Sequence, residues 1–114
     1  KQMMPTFSRW EYAWTSFDQP SKIFREPTTR TGETKIHPTQ KSVKLYRYLI
    51  DKFAKQGDKI LDTHLGSASI AIAVDSVNKI EKMDLELTAC ELDKEYFDAS
   101  IKRINEHTRQ LSLI

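Results

Sequence analysis

The stretch Lys59-Ile60-Leu61-Asp62-Thr63-His64-Leu65-Gly66-Ser67-Ala68-Ser69 decides the fold of this chain. It predicts a short apolar strand that ends in an aspartate, then a turn of small residues, then the beginning of a helix. In open α/β sheets, ligands bind at the carboxyl ends of the strands, where such a turn brings backbone N–H groups and a helix N-terminus close to polar ligand atoms. The stretch therefore predicts a site for a nucleotide-like ligand.

A second stretch, Leu85-Glu86-Leu87-Thr88-Ala89-Cys90-Glu91, repeats this arrangement further along the chain, as a predicted strand that also ends in a carboxylate. An acid at that position is well placed to accept hydrogen bonds from the two hydroxyls of a ribose. Simpler structural roles are open for both acids. Asp62 could cap the turn that follows it, and the acids of 91–93 could stabilise the N-terminus of the next helix through its dipole.

Helices are predicted on either side of these strands. One runs from Ser42 to Phe53 and is followed by a turn at Gly57. A second, capped by Ser67 or Ser69, runs through Val77, and Asp93 caps the last one. The last helix is expected to carry an apolar stripe, which consists of Tyr96, Phe97, Ile101 and Ile104. Alternation of strands and helices predicts an α/β fold with a parallel sheet.

The N-terminal part has a different pattern. Trp10, Tyr12 and Trp14 alternate with other residues, which predicts a strand over 10–17, and 26–39 has the composition of a loop. The aromatic face of that strand is expected to pack in the core, and the alternative is that it stacks a flipped nucleic-acid base.

The composition is typical of one domain, 1–114, because the chain has 114 residues of which 39% are hydrophobic. Its single cysteine, Cys90, excludes an internal disulfide and is expected to be a buried bystander. No apolar run has the length of a signal-peptide core or a membrane span, so a cytoplasmic location is expected. The three histidines show no metal-ligand spacing. Since the chain opens on Lys1 without a targeting pattern, we expect it to be part of a longer protein.

Charge divides the chain into two halves. Residues 1–50 carry nine Lys and Arg against four acids, a charge of +5, whereas 51–114 carry nine against twelve, a charge of −3. This asymmetry keeps open an alternative function, a non-catalytic module that binds nucleic acid or another partner. The surface of that module would comprise Lys22, Arg25, Arg30, Lys35, Lys41, Lys44 and Arg47.

The glycines narrow the choice of ligand. With only Gly32, Gly57 and Gly66, neither G-x-G-x-x-G nor G-x-x-x-x-G-K-[ST] can be written on this chain, which argues against dinucleotide oxidoreductases and P-loop ATPases. One glycine after an aspartate suits a ligand without a pyrophosphate, such as a nucleoside with an amino-acid tail. S-adenosylmethionine has that shape, and a domain for another nucleoside is a third alternative.

Three segments in order carry a family resemblance: Lys35-Ile36-His37-Pro38-Thr39-Gln40-Lys41, then Ile60 to Ser69, then Cys90-Glu91-Leu92-Asp93. Together they resemble the carboxyl-terminal part of the β-class amino-DNA methyltransferases, which methylate exocyclic amines of adenine or cytosine. That class places an H-P-T-Q-K-P segment ahead of a D-P-F-x-G-S-G-T cofactor loop, with a catalytic D-P-P-Y motif far upstream. The resemblance covers nearly the whole chain.

The resemblance implies a partial Rossmann-like methyltransferase sheet, mostly parallel, with flanking helices. Residues 1–34 would form the aromatic strand and loop, and 35–114 the cofactor-binding unit. The implied activity is site-specific, S-adenosylmethionine-dependent methylation of double-stranded DNA, as in restriction-modification, with adenine N6 ahead of cytosine N4. No Pro-Pro pair occurs in the chain, so D-P-P-Y is missing and no catalytic residue is expected here. The chain would be the cofactor-binding half of the enzyme.

The resemblance also implies which residues hold S-adenosylmethionine. The methionine end would be lined by His37, Pro38, Thr39, Gln40 and Lys41. The cofactor loop would comprise Asp62, Leu65, Gly66, Ser67 and Ser69. Glu91 would hold the ribose hydroxyls and Leu92 would lie against the adenine. The chain departs from the family pattern in three places: Thr63-His64 replaces Pro-Phe, Ala68 replaces the second glycine, and Ser42 replaces the closing proline. A negative φ would make Ala68 tolerable.

Assembly is predicted from the same resemblance. The strand of 59–62 would be central in the complete sheet, and the strand that bears the catalytic motif would be its neighbour. An unpaired strand edge recruits partners. We therefore expect a homo-oligomer or an association with the missing half, unless the aromatic strand of 10–17 closes the sheet.

Overall fold

A computed structural model describes residues 12–25 and 40–112 of the chain. Three helices alternate with two strands, and this confirms the predicted α/β class. The elements are α1 (Val43–Phe53), β1 (Lys59–Asp62), α2 (Ser69–Glu81), β2 (Glu86–Ala89) and α3 (Lys94–Ser112). None of the helices described is long and apolar enough to cross a lipid bilayer.

The two strands pair in parallel, with Lys59 opposite Glu86 and Asp62 opposite Ala89. Both strands therefore end at the same edge of the sheet, as the sequence predicts. Backbone bonds continue beyond the ladder, because the N–H of Cys90 donates to the carbonyl of Asp62 and the N–H of Leu65 donates to the carbonyl of Cys90. These bonds fix the loop after β1 against the chain that leaves β2.

Helix α1 begins and ends where the sequence predicts. The hydroxyl of Ser42 caps it by accepting a hydrogen bond of 3.1 Å from the N–H of Leu45, which satisfies one of the free donors of the first turn. The helix ends at Phe53, and Gly57 then turns the chain into β1 with a φ of +80°, a conformation that favours glycine.

The core lies on one face of the sheet. Helices α1 and α2 pack there, and the buried cluster includes Ile50, Val74, Val77 and Leu85. The opposite face is open in the part of the chain that the structure describes, and Leu61 on β1 is 67% exposed there. The edge of β1 away from β2 also has no strand partner within the described ranges. The unit is thus covered by helices on one face only.

The aromatic segment is not a strand. Residues 12–17 have no strand conformation, and Tyr12 and Trp14 are 92% and 88% exposed. Only Phe17 of this group packs against a helix, since its ring stacks on Phe53 of α1 at 4.6 Å between centroids. The prediction is wrong for these residues because alternating aromatics stabilise a strand only when a neighbouring strand pairs with its backbone. Trp10 and the predicted loop of 26–39 lie outside the described residues.

The inward face of α3 differs from the predicted apolar stripe. Phe97 and Ile101 are each 39% exposed, whereas Ser100 is fully buried and Arg103 is half-buried. Ile104 does pack against the core, as predicted. The spacing identified the helix, but the rotation of the helix about its axis brings the polar face inward.

Two smaller predictions meet different outcomes. Asp93 caps α3, because its carboxylate accepts a hydrogen bond of 3.1 Å from the N–H of Tyr96, which confirms the prediction. Cys90 is exposed, so the expected burial of its side chain is wrong. It lies just after β2, beyond the point where the helices cover the sheet.

Candidate functional site

A pocket of about 370 Å³ lies at the carboxyl edge of the two strands. Three separate parts of the chain form its wall: the segment that leads into α1 together with one residue of α1, the loop between β1 and α2 together with the first residue of α2, and the residue that follows the end of β2 by two positions. The lining residues are Gln40, Lys41, Tyr46, His64, Leu65, Gly66, Ser67, Ser69 and Glu91. The fold thus creates a cavity at the edge of the sheet where the sequence predicts a ligand.

Most of the predicted site residues that the structure describes line this pocket. They are Gln40, Lys41, Leu65, Gly66, Ser67, Ser69 and Glu91. Asp62 does not form part of the wall, and Leu92 is fully exposed. His37, Pro38 and Thr39 lie outside the described residues. Tyr46 and His64 also line the pocket, although neither was predicted as a site residue.

Asp62 organises the turn after β1. Its Oδ1 accepts a hydrogen bond of 2.9 Å from the N–H of His64, which is the local turn-capping role. The negative charge of Asp62 also affects Tyr46, which lines the pocket. Burial raises the pKa of the Tyr46 phenol, and the negative charge of Asp62 raises it further. Tyr46 is therefore a neutral hydroxyl at physiological pH, able to donate and to accept a hydrogen bond.

Glu91 links two parts of the site. Its Oε1 accepts a hydrogen bond of 2.8 Å from the N–H of Gly66, and its Oε2 accepts one of 3.0 Å from the N–H of Asp93. The carboxylate therefore ties the loop after β1 to the start of α3. A carboxylate has about four acceptor positions, so one such side chain can accept several hydrogen bonds at once.

Helix α3 holds the same loop from the other side. The hydroxyl of Ser100 donates to the carbonyl of Gly66. One turn later, Arg103 donates from Nη1 to the carbonyl of Ser67 at 2.9 Å and to the hydroxyl of Ser69 at 3.0 Å. Neither Ser100 nor Arg103 was predicted as a site residue. Their only signal was two polar side chains three residues apart, hence on one face, inside a predicted apolar stripe.

Comparison with known families identifies the chain. The family model described as DNA methylase matches residues 5–102, which include both strands and the whole pocket. The chain belongs to the DNA methylase family. As a member of the N6/N4 branch of DNA methylases, it has a small α/β arrangement consistent with part of a methyltransferase fold.

One curated relative of the chain is a ribosomal protein L11 methyltransferase from Campylobacter hominis. The two sequences are 39% identical over 59 residues, which is 52% of this chain and 18% of that protein. The chain thus covers less than a fifth of the length of this relative. No solved structure matches the chain significantly.

The most consequential departure from the DNA methylase pattern is Ala68, at the position of the second glycine. Its φ is +71°, so the negative φ that would make alanine tolerable at this position is not found. Ala68 also occupies the N-cap position of α2 without a capping side chain, whereas Ser67 or Ser69 was expected there, and α2 runs on to Glu81 beyond the predicted end at Val77. The left-handed conformation costs a residue with a β-carbon about 1–2 kcal/mol. The loop thus has, at Ala68, the backbone conformation that favours glycine, although the side chain there is a methyl group.

The other two departures have local explanations. Ser42 caps α1 with its hydroxyl, which a proline could not do. Thr63 and His64 form a hydrogen bond of 2.9 Å between Oγ1 and Nδ1, and the imidazole stands in the pocket wall where the DNA methylase pattern has a phenyl ring. Among the described residues, no group of three or more His, Cys, Asp and Glu side chains is placed to hold a metal ion.

Proposed function

We propose that this chain is the cofactor-binding half of an S-adenosylmethionine-dependent DNA methyltransferase that acts on an exocyclic amine, adenine N6 ahead of cytosine N4. The observation that carries the proposal is the pocket at the strand ends. Segments that are far apart in sequence, from Gln40 and Lys41 to the loop of 63–68 and Glu91, meet there in one cavity. Membership of the DNA methylase family supports the same activity.

The side chains of the pocket suit a nucleoside with an amino-acid tail. Glu91 offers acceptor positions for the two hydroxyls of a ribose. Lys41 supplies the positive charge that attracts a carboxylate, and the neutral hydroxyl of Tyr46 adds a donor and an acceptor. The volume of about 370 Å³ lies within the range of small-molecule sites. Leu92 exposes its apolar side chain next to Glu91, where an adenine ring would cover it.

S-adenosylmethionine would bring a methyl group bound to a sulfonium, and the residues of this chain would bind and orient that group. Asp62 would act indirectly, by fixing the turn, and its negative charge would add to the burial that raises the pKa of Tyr46. His37, Pro38 and Thr39 would complete the methionine end. The acceptors that draw charge from the target amine would come from a D-P-P-Y motif, which this chain does not contain.

We infer that double-stranded DNA is bound through the full-length enzyme, and that this chain associates with a second copy or with the missing half. The open edge of β1 and the exposed Leu61 support the association, because an uncovered strand edge and apolar face favour pairing. Sedimentation at micromolar concentration tests it. A folded monomer would contradict self-association.

Calorimetric titration with S-adenosylhomocysteine tests the site. The chain should bind it, weakly while the catalytic half is missing, and Glu91→Gln should weaken binding at least tenfold because the ribose would lose a carboxylate acceptor. Asp62→Ala should weaken it less, through the turn. Glu86→Gln is the matched control, since Glu86 lies on β2 with its side chain exposed and away from the pocket. Binding that neither Glu91→Gln nor Asp62→Ala affects would contradict the site.

The choice between the two target amines needs the full-length enzyme. Mass spectrometry of nucleosides from DNA treated with it would show N6-methyladenine if the proposal is right, and N4-methylcytosine if the target base is wrong. A salt-dependent affinity of this chain for DNA without affinity for S-adenosylhomocysteine would instead favour a nucleic-acid-binding module. In the structure, Arg47 of the basic surface expected for such a module pairs with Glu81 at 3.2 Å.

A further inference from the structure

The inward face of α3 is polar where it meets the pocket loop. Ser100 is fully buried, and Ser67 and Ser69 in the loop are 4% and 2% exposed. Arg103 reaches this buried group of hydroxyls and carbonyls from half-buried surroundings. A guanidinium is costly to remove from water unless acceptors meet its N–H groups. The contacts with the loop thus give Nη1 of the guanidinium its acceptors and fix the loop at the same time.

The bonds from α3 set the direction of the peptide groups in the loop. The carbonyls of Gly66 and Ser67 both point toward α3, where Ser100 and Arg103 bind them. In a trans peptide the N–H points opposite to the carbonyl, so the N–H of Ser67 points away from α3. The N–H of Gly66 is directed to Glu91, which lines the pocket. Helix α3 therefore determines which backbone groups of the loop face inward and which face the cavity.

The same contacts hold a backbone that is strained. Ala68 lies between the two serines that Arg103 contacts, and its φ of +71° is disfavoured for alanine. A residue keeps such a conformation only when its surroundings enforce it. Arg103 donates hydrogen bonds to Ser67 on one side of Ala68 and to Ser69 on the other. Bonds on both sides hold the backbone at Ala68 in its disfavoured conformation.

We propose that Arg103 is a positioning residue for the cofactor loop. It contacts no ligand itself, and it holds the loop of Gly66 to Ser69 in the form that lines the pocket proposed for a nucleoside with an amino-acid tail. The inference rests on the proposed function for the identity of that ligand. The ordering of the loop by Arg103 can be tested without a ligand.

The test compares Arg103→Met with Lys102→Met, which removes an exposed positive charge from the neighbouring position of α3. Amide hydrogen exchange by NMR reports on the loop, and calorimetry with S-adenosylhomocysteine reports on binding. Arg103→Met should speed exchange at residues 66–69 about tenfold more than in the strands, and should weaken S-adenosylhomocysteine about tenfold, the factor that corresponds to one lost charge-assisted hydrogen bond. Lys102→Met should change both by less than about twofold.

Chemical rescue separates positioning from a general structural role. In Arg103→Ala, added methylguanidinium should restore affinity for S-adenosylhomocysteine and slow exchange in the loop, because it replaces the missing donors. Arg103→Lys should give an intermediate affinity, since one ammonium replaces the fork of the guanidinium. If Arg103→Met does not fold, loop exchange and affinity for S-adenosylhomocysteine are compared in Arg103→Lys and in Arg103→Ala with methylguanidinium instead.

Two results would overturn the inference. One is Arg103→Met with loop exchange and affinity equal to the parent chain. The other is faster exchange that is uniform over the whole chain and is not rescued by methylguanidinium, which would make Arg103 a general stability residue. If the parent chain binds no S-adenosylhomocysteine, the proposed function fails, and exchange at 66–69 alone then decides whether Arg103 orders the loop.

Discussion

The loop between β1 and α2 and the aromatic segment of residues 12–25 are both short stretches without regular structure, yet they differ in almost every contact. The loop is held by Glu91 from one side and by Ser100 and Arg103 from the other. The aromatic segment contacts α1 through two pairs of rings, Phe17 stacked on Phe53 and Phe24 tilted against Tyr48. The two regions thus show two ways of holding irregular chain, by bonds to its backbone in the loop and by contacts between rings in the aromatic segment.

Among changes that test the difference between the loop and the aromatic segment, removal of the Glu91 side chain should have the largest effect. Glu91→Ala leaves the N–H groups of Gly66 and Asp93 without their acceptor, and should lower the free energy of unfolding by about 2 kcal/mol. Urea denaturation measures this loss. Glu86→Ala, the control on β2, should cost less than about 0.5 kcal/mol. Equal losses for the two variants would show that Glu91 does not tie the loop.

A smaller effect on stability is expected when the backbone strain at Ala68 in the loop is relieved. Ala68→Gly should raise the free energy of unfolding by about 1 kcal/mol, because glycine adopts a positive φ without the cost that a β-carbon brings. Ala73→Gly, in the interior of α2, should lower it by about 1 kcal/mol. Urea denaturation of both variants should therefore give shifts of opposite sign. A loss of stability in Ala68→Gly would mean that the methyl group contributes more by packing than its φ costs.

Tyrosines from the two regions should respond differently to alkaline pH. The pKa of Tyr46 is raised in the folded chain, mainly by burial, so the folded state holds its proton more tightly than the unfolded state does. The resulting stability is complete below pH 10 and is lost as the pH rises through the raised pKa. Tyr46→Phe should flatten the fall in stability above pH 10, as followed by urea denaturation. Tyr12→Phe should leave that fall unchanged, because Tyr12 is 92% exposed; an equal effect of both variants would contradict the assignment.

The smallest effect is expected in the aromatic segment. Trp14→Ser should change the free energy of unfolding by less than about 0.5 kcal/mol, since the ring is 88% exposed. Thermal unfolding followed by circular dichroism measures this. A loss above about 2 kcal/mol would contradict the exposed position of Trp14.

Much of the fold could be predicted because it follows from local patterns. The hydroxyl of Ser42 and the carboxylate of Asp93 cap helices within three residues of their own positions, and the apolar spacing between them sets α1 and the order of the elements. The pocket was predictable in outline, because parallel strands bring their carboxyl ends together. Its details were not. The contact of Glu91 with Gly66 spans 25 residues, and no local pattern encodes it.

The errors have a common physical cause. Periodicity shows that a segment has an apolar face, but packing decides whether that face meets a neighbour. Phe97 and Ile101 form part of a regular stripe, yet the position of α3 against α2 and the loop brings Ser100 and Arg103 inward instead. The aromatic pattern of 12–17 likewise depends on a neighbouring strand that the described part of the chain does not supply.

The sequence by itself determined the alternation of helices and strands, the parallel sheet and the edge at which a ligand would bind, because caps and apolar periodicity act over a few residues. Only the tertiary structure decided that Ala68 takes a positive φ, that Glu91 bonds to the loop as well as facing the pocket, and that Arg103 holds the loop from behind. These features depend on how far α3 is rotated about its axis and how closely it approaches the loop. Packing among distant residues sets that rotation, and no short stretch of sequence records it.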